Sequence, residues 1–227
     1  MIGNSWARPD EHGGHEEQLA ELGLKYEYFE QLIREGEEAR SAATKDDANN
    51  AAGTFDYFAR VRTLRNLLRT EKQWHRYDPK QSPLTVNPDK SMGIGVLLGD
   101  ARTGLPGNPQ PRSHRPAGVA KESLVSRNQD IHPGLFPVPL VEEELETQRD
   151  EDEYANLITW YLLTFRYTAR KQGYIEVRSE LSLPSRVGPR GKIDSWDRRI
   201  LLPAIRFKKT FDYPDGDTGF DVAVEEW

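Results

Sequence analysis

Apolar residues in the first third of the chain recur every three or four positions, the spacing of an amphipathic helix. One stripe predicts a helix that ends near Arg40: Leu19, Leu22, Tyr26, Phe29 and Ile33. A second helix is predicted from Thr54, which stands where an N-cap would, to about Arg76. The small polar segment 41–53 connects them, so we expect an antiparallel helical hairpin.

The middle of the chain, from Pro79 to Gly118, is rich in proline and glycine. Its one apolar run, Ile94 to Leu98, predicts a strand, and the remainder predicts a long loop. A short helix is expected from Val119 to Arg127. Loops of this length are usually either functional or disordered.

Three strands are predicted in the C-terminal part. The apolar run Leu157–Tyr167 suits a strand covered on both faces, and polar and apolar residues alternate along Tyr174–Leu183, as in a half-exposed strand. A third strand is expected over Ile200–Phe207, where Pro203 favours the edge of the sheet.

These elements predict an α+β fold with an N-terminal helical hairpin, a long Gly/Pro loop and a small antiparallel C-terminal sheet. The expected organisation is a flexible arm at 1–15, the hairpin at 16–78, a loop-rich part with the sheet at 79–211 and an acidic tail at 212–227.

Composition narrows the function classes. The chain has no cysteine, which excludes disulfides, thiolate catalysis and Cys-ligated zinc. No window approaches 18 apolar residues, and the first residues lack the pattern of a secretory leader. We therefore expect a cytoplasmic protein without a membrane partner.

Charge is arranged in blocks of alternating sign. Residues 1–53 carry 5 Lys and Arg against 12 Asp and Glu, whereas residues 54–127 carry 13 against 6. The following blocks, 128–159, 160–211 and 212–227, are acidic, basic and acidic. A net charge of −6 therefore hides two basic segments that can converge on one positive surface.

The second helix carries the strongest candidate for binding, a stripe of five cations at intervals of three and four: Arg62, Arg65, Arg69, Lys72 and Arg76. Like charges at this spacing repel one another, so a counter-charge is expected. One interpretation is a nucleic-acid backbone, whose phosphates bind Lys and Arg with release of counterions. The alternative is pairing with the glutamates of the acidic first helix.

The Gly/Pro loop is a second candidate because it leads into a predicted helix N-terminus, where backbone amides bind anions. Its cations are Arg102, Arg112, His114 and Arg115. We expect this loop to be mobile in the free protein and ordered by an anionic partner, or else simply solvated. The glycines of the region match neither a Walker motif nor a dinucleotide fingerprint.

Four carboxylates near the predicted sheet are the best candidates for catalysis: Glu176, Glu180, Asp194 and Asp197. If clustered, they are suited to hold Mg²⁺ for phosphodiester hydrolysis. Exposed cross-strand ion pairs explain the same residues without a metal. His12 and His15 lack a third ligand, and no nucleophile elbow is present, so we expect no resident metal or cofactor.

Three segments carry a resemblance: 93–104, Ile175–Pro184 and 196–205. They are similar to stretches in uncharacterised small proteins from phages and mobile elements of Gram-positive bacteria. The resemblance covers about a third of the chain. It implies a phage or anti-phage setting and carries no activity.

The interpretation that joins these observations is a non-enzymatic binding protein, a subunit of a nucleic-acid-associated complex. Its expected partner is nucleic acid or a protein complex that contains it, with no small-molecule ligand. Two alternatives remain open: a metal-dependent nuclease, and a protein-binding module whose acidic segments mimic nucleic acid.

Overall fold

The computed structural model describes residues 14–131, 154–169 and 173–208. In these residues the helices are α1 (His15–Glu21), α2 (Tyr26–Ser41), α3 (Ala51–Lys72) and α4 (Val119–Ile131). The strands are β1 (His75–Tyr77), β2 (Leu84–Val86), β3 (Met92–Leu98), β4 (Ile158–Ala169), β5 (Tyr174–Val187) and β6 (Ile193–Lys208). The α+β class is confirmed. Most of the predicted arm, the segment 132–153 and the acidic tail lie outside the described residues.

The six strands form one mostly antiparallel sheet in the order β1-β2-β3-β4-β5-β6. Only β3 and β4 run parallel, with Ile94 opposite Trp160. Strand β6 lies at an edge, as Pro203 predicts. The register shifts between Val177 and Ser179 on β5, so Pro203 falls at an irregularity where its missing N–H breaks no regular ladder bond.

The prediction of one continuous helix to Arg40 is wrong, because the chain breaks between α1 and α2. Gly23 lies there with φ of +68°, a conformation that glycine adopts without a steric penalty. The Leu24 amide donates to the Leu19 carbonyl at 2.9 Å and closes the turn. The apolar stripe still faces inward, since Leu19, Phe29 and Ile33 are fully buried.

Helix α3 differs from its prediction at both ends. It begins at Ala51, three residues before the predicted cap Thr54, and ends at Lys72 instead of Arg76. The Thr54 hydroxyl donates to the Asn50 carbonyl at 2.9 Å and therefore caps nothing. Strands β1 and β2 also differ from the prediction, because the sequence pattern predicts the end of a helix and a loop in these segments.

Helices α2 and α3 pack antiparallel, because Tyr28 near the start of α2 bonds Glu71 near the end of α3. Farther along α2, Glu37 pairs with Arg60, earlier on α3. These helices cover one face of the sheet, which we call the helix face. Its core joins buried helix residues such as Leu32 and Leu68 to strand residues such as Leu162.

The opposite face of the sheet, which we call the loop face, is covered by α4 and by the loop 99–118. Leu124 of α4 packs with Leu157, Tyr161 and Trp196 in a second buried cluster. None of the described helices combines the length and the apolar character that crossing a membrane requires.

Candidate nucleic-acid interface

A cleft of about 260 Å³ lies between the C-terminal half of α3 and the β1–β2 edge of the sheet. Four arginines line it, and the other lining residues are polar or aromatic: Arg62, Arg65, Asn66, Arg69, Trp74, His75, Arg76 and Thr85. We call it the arginine cleft. Four of the five cations predicted as one stripe therefore meet here, and Lys72 is not among the lining residues.

The turn after α3 explains why Arg76 reaches the cleft although it is not on the helix. Gln73 adopts a left-handed conformation with φ of +59° and ends α3, its amide bonding the Arg69 carbonyl at 3.1 Å. The chain then reverses, and Trp74 is buried in the helix-face core. Strand β1 thus runs beside α3, with Arg76 paired to Thr85 in register.

One carboxylate offsets part of the charge. Asp78 forms ion pairs with both Arg65 and Arg76, each with a very short contact. Arg65 also donates to the Leu84 carbonyl at 3.4 Å. The arginines of the cleft contribute four positive charges and Asp78 one negative charge, so these five side chains together carry a net charge of +3.

Arg62 and Arg69 are the least engaged arginines, and both are exposed. Arg69 donates to the Asn66 side chain at 3.1 Å. Its position in the last turn is favourable because cations there meet the negative end of the helix dipole. Within the described residues, the Arg62 side chain has no hydrogen bond or ion pair, and it interacts at longer range with the charge of Glu35.

The main ion pairs of the acidic helix α2 are formed with residues outside the arginine cleft. Glu37 pairs with the buried Arg60 at 3.6 Å and with Arg166 of β4 at 3.0 Å. Asp56, also buried, pairs with Arg60. Burial raises the pKa of Asp56, although Arg60 acts in the opposite direction. In the described part of the chain, these ion pairs stabilise the packing of α2 on α3. Glu35 of α2 acts on Arg62 only at longer range, so no ion pair with α2 neutralises the arginine cleft.

A second groove of about 250 Å³ borders the cleft at Asn66 and lies between α2 and α3. It contains Glu35 and Glu71. Hydrogen bonds from Thr63 and Gln31 hold the pKa of Glu35 below its ordinary value, so this carboxylate stays charged. An anion near α3 is therefore repelled on one side of Asn66 and attracted on the other.

The loop 99–118 is joined to β5 and β6 by hydrogen bonds. The Trp196 indole donates to the Pro111 carbonyl at 2.8 Å. Gln110 bonds both backbone groups of Trp196, and the Ser113 amide donates to the Ile193 carbonyl at 2.9 Å. These contacts place the loop backbone against the sheet, and its mobility in the free protein stays a prediction.

The cations of the loop point outward and lie apart from the cleft. Four side chains are exposed: Arg102, Arg112, His114 and Arg115. The loop covers the loop face, whereas the arginine cleft lies on the helix face at the far edge. The two sets of candidate residues therefore do not converge on one surface.

At the start of α4, where the sequence predicts an anion site, groups of the protein itself compete with an anion for the backbone amides. The Lys121 and Glu122 amides already bond the Gly118 carbonyl. Glu122 also supplies a negative charge in the first turn.

Glu180 is fully buried, which corrects its assignment to an exposed strand face. Its carboxylate accepts hydrogen bonds from Arg199 at 2.6 and 2.9 Å, from Ser182 at 2.7 Å and from the Gly104 amide at 2.8 Å. The loop 99–118 covers this strand, so the alternation of polar residues does not mark a solvent face. Glu180 therefore ties the loop to the sheet.

The four candidate catalytic carboxylates are not brought together. Glu176 pairs with Arg206 at 2.8 Å, and Asp194 pairs with Arg186 at 3.1 Å near the opposite end of β5. Asp197 is exposed. Among the described residues, no three His, Cys, Asp or Glu side chains are arranged to hold a metal ion.

Several residues of the cleft were not predicted as site residues, including Trp74, His75 and Thr85. They come from segments interpreted as the end of a helix and as loop. Asp78, two residues beyond the predicted end of the second helix, was also not predicted as a site residue. Nothing in a helical periodicity indicates that a later strand returns beside the helix.

Comparisons with known proteins yield no relative: no family model matches the chain, and no curated protein or solved structure matches it either. The geometry of the site is therefore the basis for a functional proposal.

Proposed function

We propose that this protein binds the phosphate backbone of a nucleic acid through the arginine cleft, as a non-enzymatic subunit of a nucleic-acid-associated complex. The observation that carries the proposal is the convergence of Arg62, Arg65, Arg69 and Arg76 around one cleft, where Asp78 is the only carboxylate among the described residues that forms ion pairs with them. The phage or anti-phage setting rests on the resemblance of the three segments described above.

Arginine suits this role because its guanidinium stays charged and offers paired donors to phosphate oxygens. Two arginines of the cleft, Arg65 and Arg76, are held by Asp78. Arg62 and Arg69 are exposed and only weakly engaged by the protein. Arg65 and Arg76 therefore shape the cleft, and Arg62 and Arg69 are available to neutralise phosphates.

A structural role alone accounts poorly for this arrangement. Arg60, on the same helix, shows what a structural arginine looks like here, since it is 2% exposed and paired with two buried carboxylates. Arg62 lies only two residues away with neither burial nor an ion pair in the described chain.

The test compares two charge-matched double variants by fluorescence anisotropy with labelled oligonucleotides. Arg62→Gln with Arg69→Gln removes the available cleft charges, and Arg102→Gln with Arg115→Gln removes two exposed charges from the loop face. We expect the cleft variant to lose roughly tenfold or more in affinity and the loop variant to bind like the wild type.

All four substitutions are at exposed positions, so circular dichroism and thermal unfolding should show retained folds. Unchanged affinity in the folded cleft variant would reject this surface. Loss of affinity in the loop variant alone would move the interface to the loop face.

A further inference from the structure

Two exposed phenylalanines of α3 lie beyond the arginine cleft, toward the start of the helix. Phe58 is 60% exposed and Phe55 is 37% exposed. Single exposed aromatic residues are common on protein surfaces, but these two share a helix face with Arg62 and Arg69. That shared face is the observation that needs an explanation.

Helical geometry fixes this relationship. Phe55, Arg62 and Arg69 follow one another at intervals of seven residues, which returns them to nearly the same face of α3. Phe58 lies one turn before Arg62, about 6 Å along the axis. Together the four side chains form a stripe about 21 Å long, with aromatic rings at one end and the arginine cleft at the other.

We propose that the nucleic acid bound at the arginine cleft is single-stranded and that its bases stack on Phe58 and Phe55. This inference rests on the proposed function and specifies its substrate class. Proteins that bind single strands combine cations along the backbone with aromatic rings on which bases stack. The stripe offers both groups in one line.

A duplex fits the stripe less well. Its bases are stacked on one another, so the surface next to a phosphate-binding cleft is another row of phosphates. Exposed rings beside the cleft gain nothing from phosphates. An unpaired strand, in contrast, presents base faces that bury the rings and phosphates that meet the arginines.

The test uses two single-stranded probes with equal numbers of phosphates, a decathymidylate and an abasic decamer. We expect the wild-type protein to prefer the thymidylate by roughly 5- to 150-fold for each stacked base. The variant Phe55→Leu with Phe58→Leu keeps apolar side chains but removes the rings. It should lose this preference and bind the abasic probe with unchanged affinity.

Tyr167→Leu is the matched control, because Tyr167 is 47% exposed on β4 and lies away from α3. It should leave both affinities unchanged. Equal affinity of the wild-type protein for the two probes, or tighter binding of a ten-base-pair duplex, would overturn base stacking while leaving phosphate binding intact. Binding of both probes that is insensitive to Arg62→Gln with Arg69→Gln would instead reject the proposed function.

Discussion

The guanidinium of Arg65 and the carboxylate of Asp78 form an ion pair that joins α3 to the residue following β1. The two side chains are 21% and 22% exposed. Asp78 also pairs with Arg76, so one carboxylate holds two arginines of the cleft. This relationship makes Asp78 the internal competitor of any bound phosphate.

Replacing Asp78 by Asn should therefore change binding and stability in opposite directions. We expect tighter nucleic-acid binding, because the cleft gains one net positive charge. The free energy of unfolding should fall by up to about 1 kcal/mol, the scale of a partly exposed ion pair. Anisotropy titrations and urea denaturation measure the two effects, and weaker binding would contradict this role of Asp78.

The buried carboxylate of Glu180 should be essential for holding the loop 99–118. Glu180→Gln breaks a buried ion pair with Arg199 and should cost about 3–5 kcal/mol of stability. If the variant folds, the Gly104 amide should exchange faster with solvent. Glu176→Gln, which disrupts a pair with the largely exposed Arg206, should cost no more than about 1 kcal/mol. Equal losses in the two variants would be inconsistent with this account.

Close packing between α2 and α3 depends on Gly36. A methyl group there would lie 2.5 Å from a carboxylate oxygen of Asp56 and 2.6 Å from a guanidinium nitrogen of Arg60. Gly36→Ala should therefore destabilise the protein by about 1–3 kcal/mol. Gly53→Ala is the control, because its nearest neighbour is 3.9 Å away and alanine favours the helix. A neutral Gly36→Ala would show that the interface is loosely packed.

The lowered pKa of Glu35 predicts that the stability of the protein depends on pH. Its folded-state pKa is lowered from the ordinary value of 4.5, mainly by the hydrogen bond from Thr63. The resulting stabilisation is present above that ordinary value and is lost as the pH falls through the lowered folded-state pKa. Thr63→Val should thus cost stability at pH 7 and progressively less in acid.

The measurement for Glu35 is the free energy of unfolding of the wild type and of Thr63→Val between pH 2 and pH 7. Thr70→Val, at an exposed position on the same helix, is the control for removing a hydroxyl group. A cost of Thr63→Val that does not vary with pH would show that the hydroxyl does not act through the charge of Glu35.

Periodicity predicted the parts of this fold that depend on local sequence. The buried stripe of α1 and α2 and the strands of the C-terminal sheet follow from apolar spacing. The break at Gly23 was missed because one glycine within a strong helical pattern costs only about 1 kcal/mol. The short strands β1 and β2 were missed because their pairing depends on distant residues, as Thr85 opposite Ile94 illustrates.

The candidate site was predicted in part for a related reason. Arg62, Arg65 and Arg69 follow from helical spacing, but Arg76 reaches the cleft through a chain reversal at Gln73. Conversely, the alternation of β5 suggested that Glu180 is exposed, whereas the loop, which is distant in sequence, buries it. Long-range packing determines both outcomes.

The salt dependence of binding tests phosphate neutralisation by the cleft most directly. For a single-stranded oligonucleotide, each phosphate contact contributes about 0.7 to the slope of log affinity against log salt concentration. Arg62→Gln with Arg69→Gln should therefore make the slope shallower by about 1.4, the sum of two contacts, relative to the wild type. Identical slopes for the folded variant and the wild type would contradict binding of phosphates in the arginine cleft.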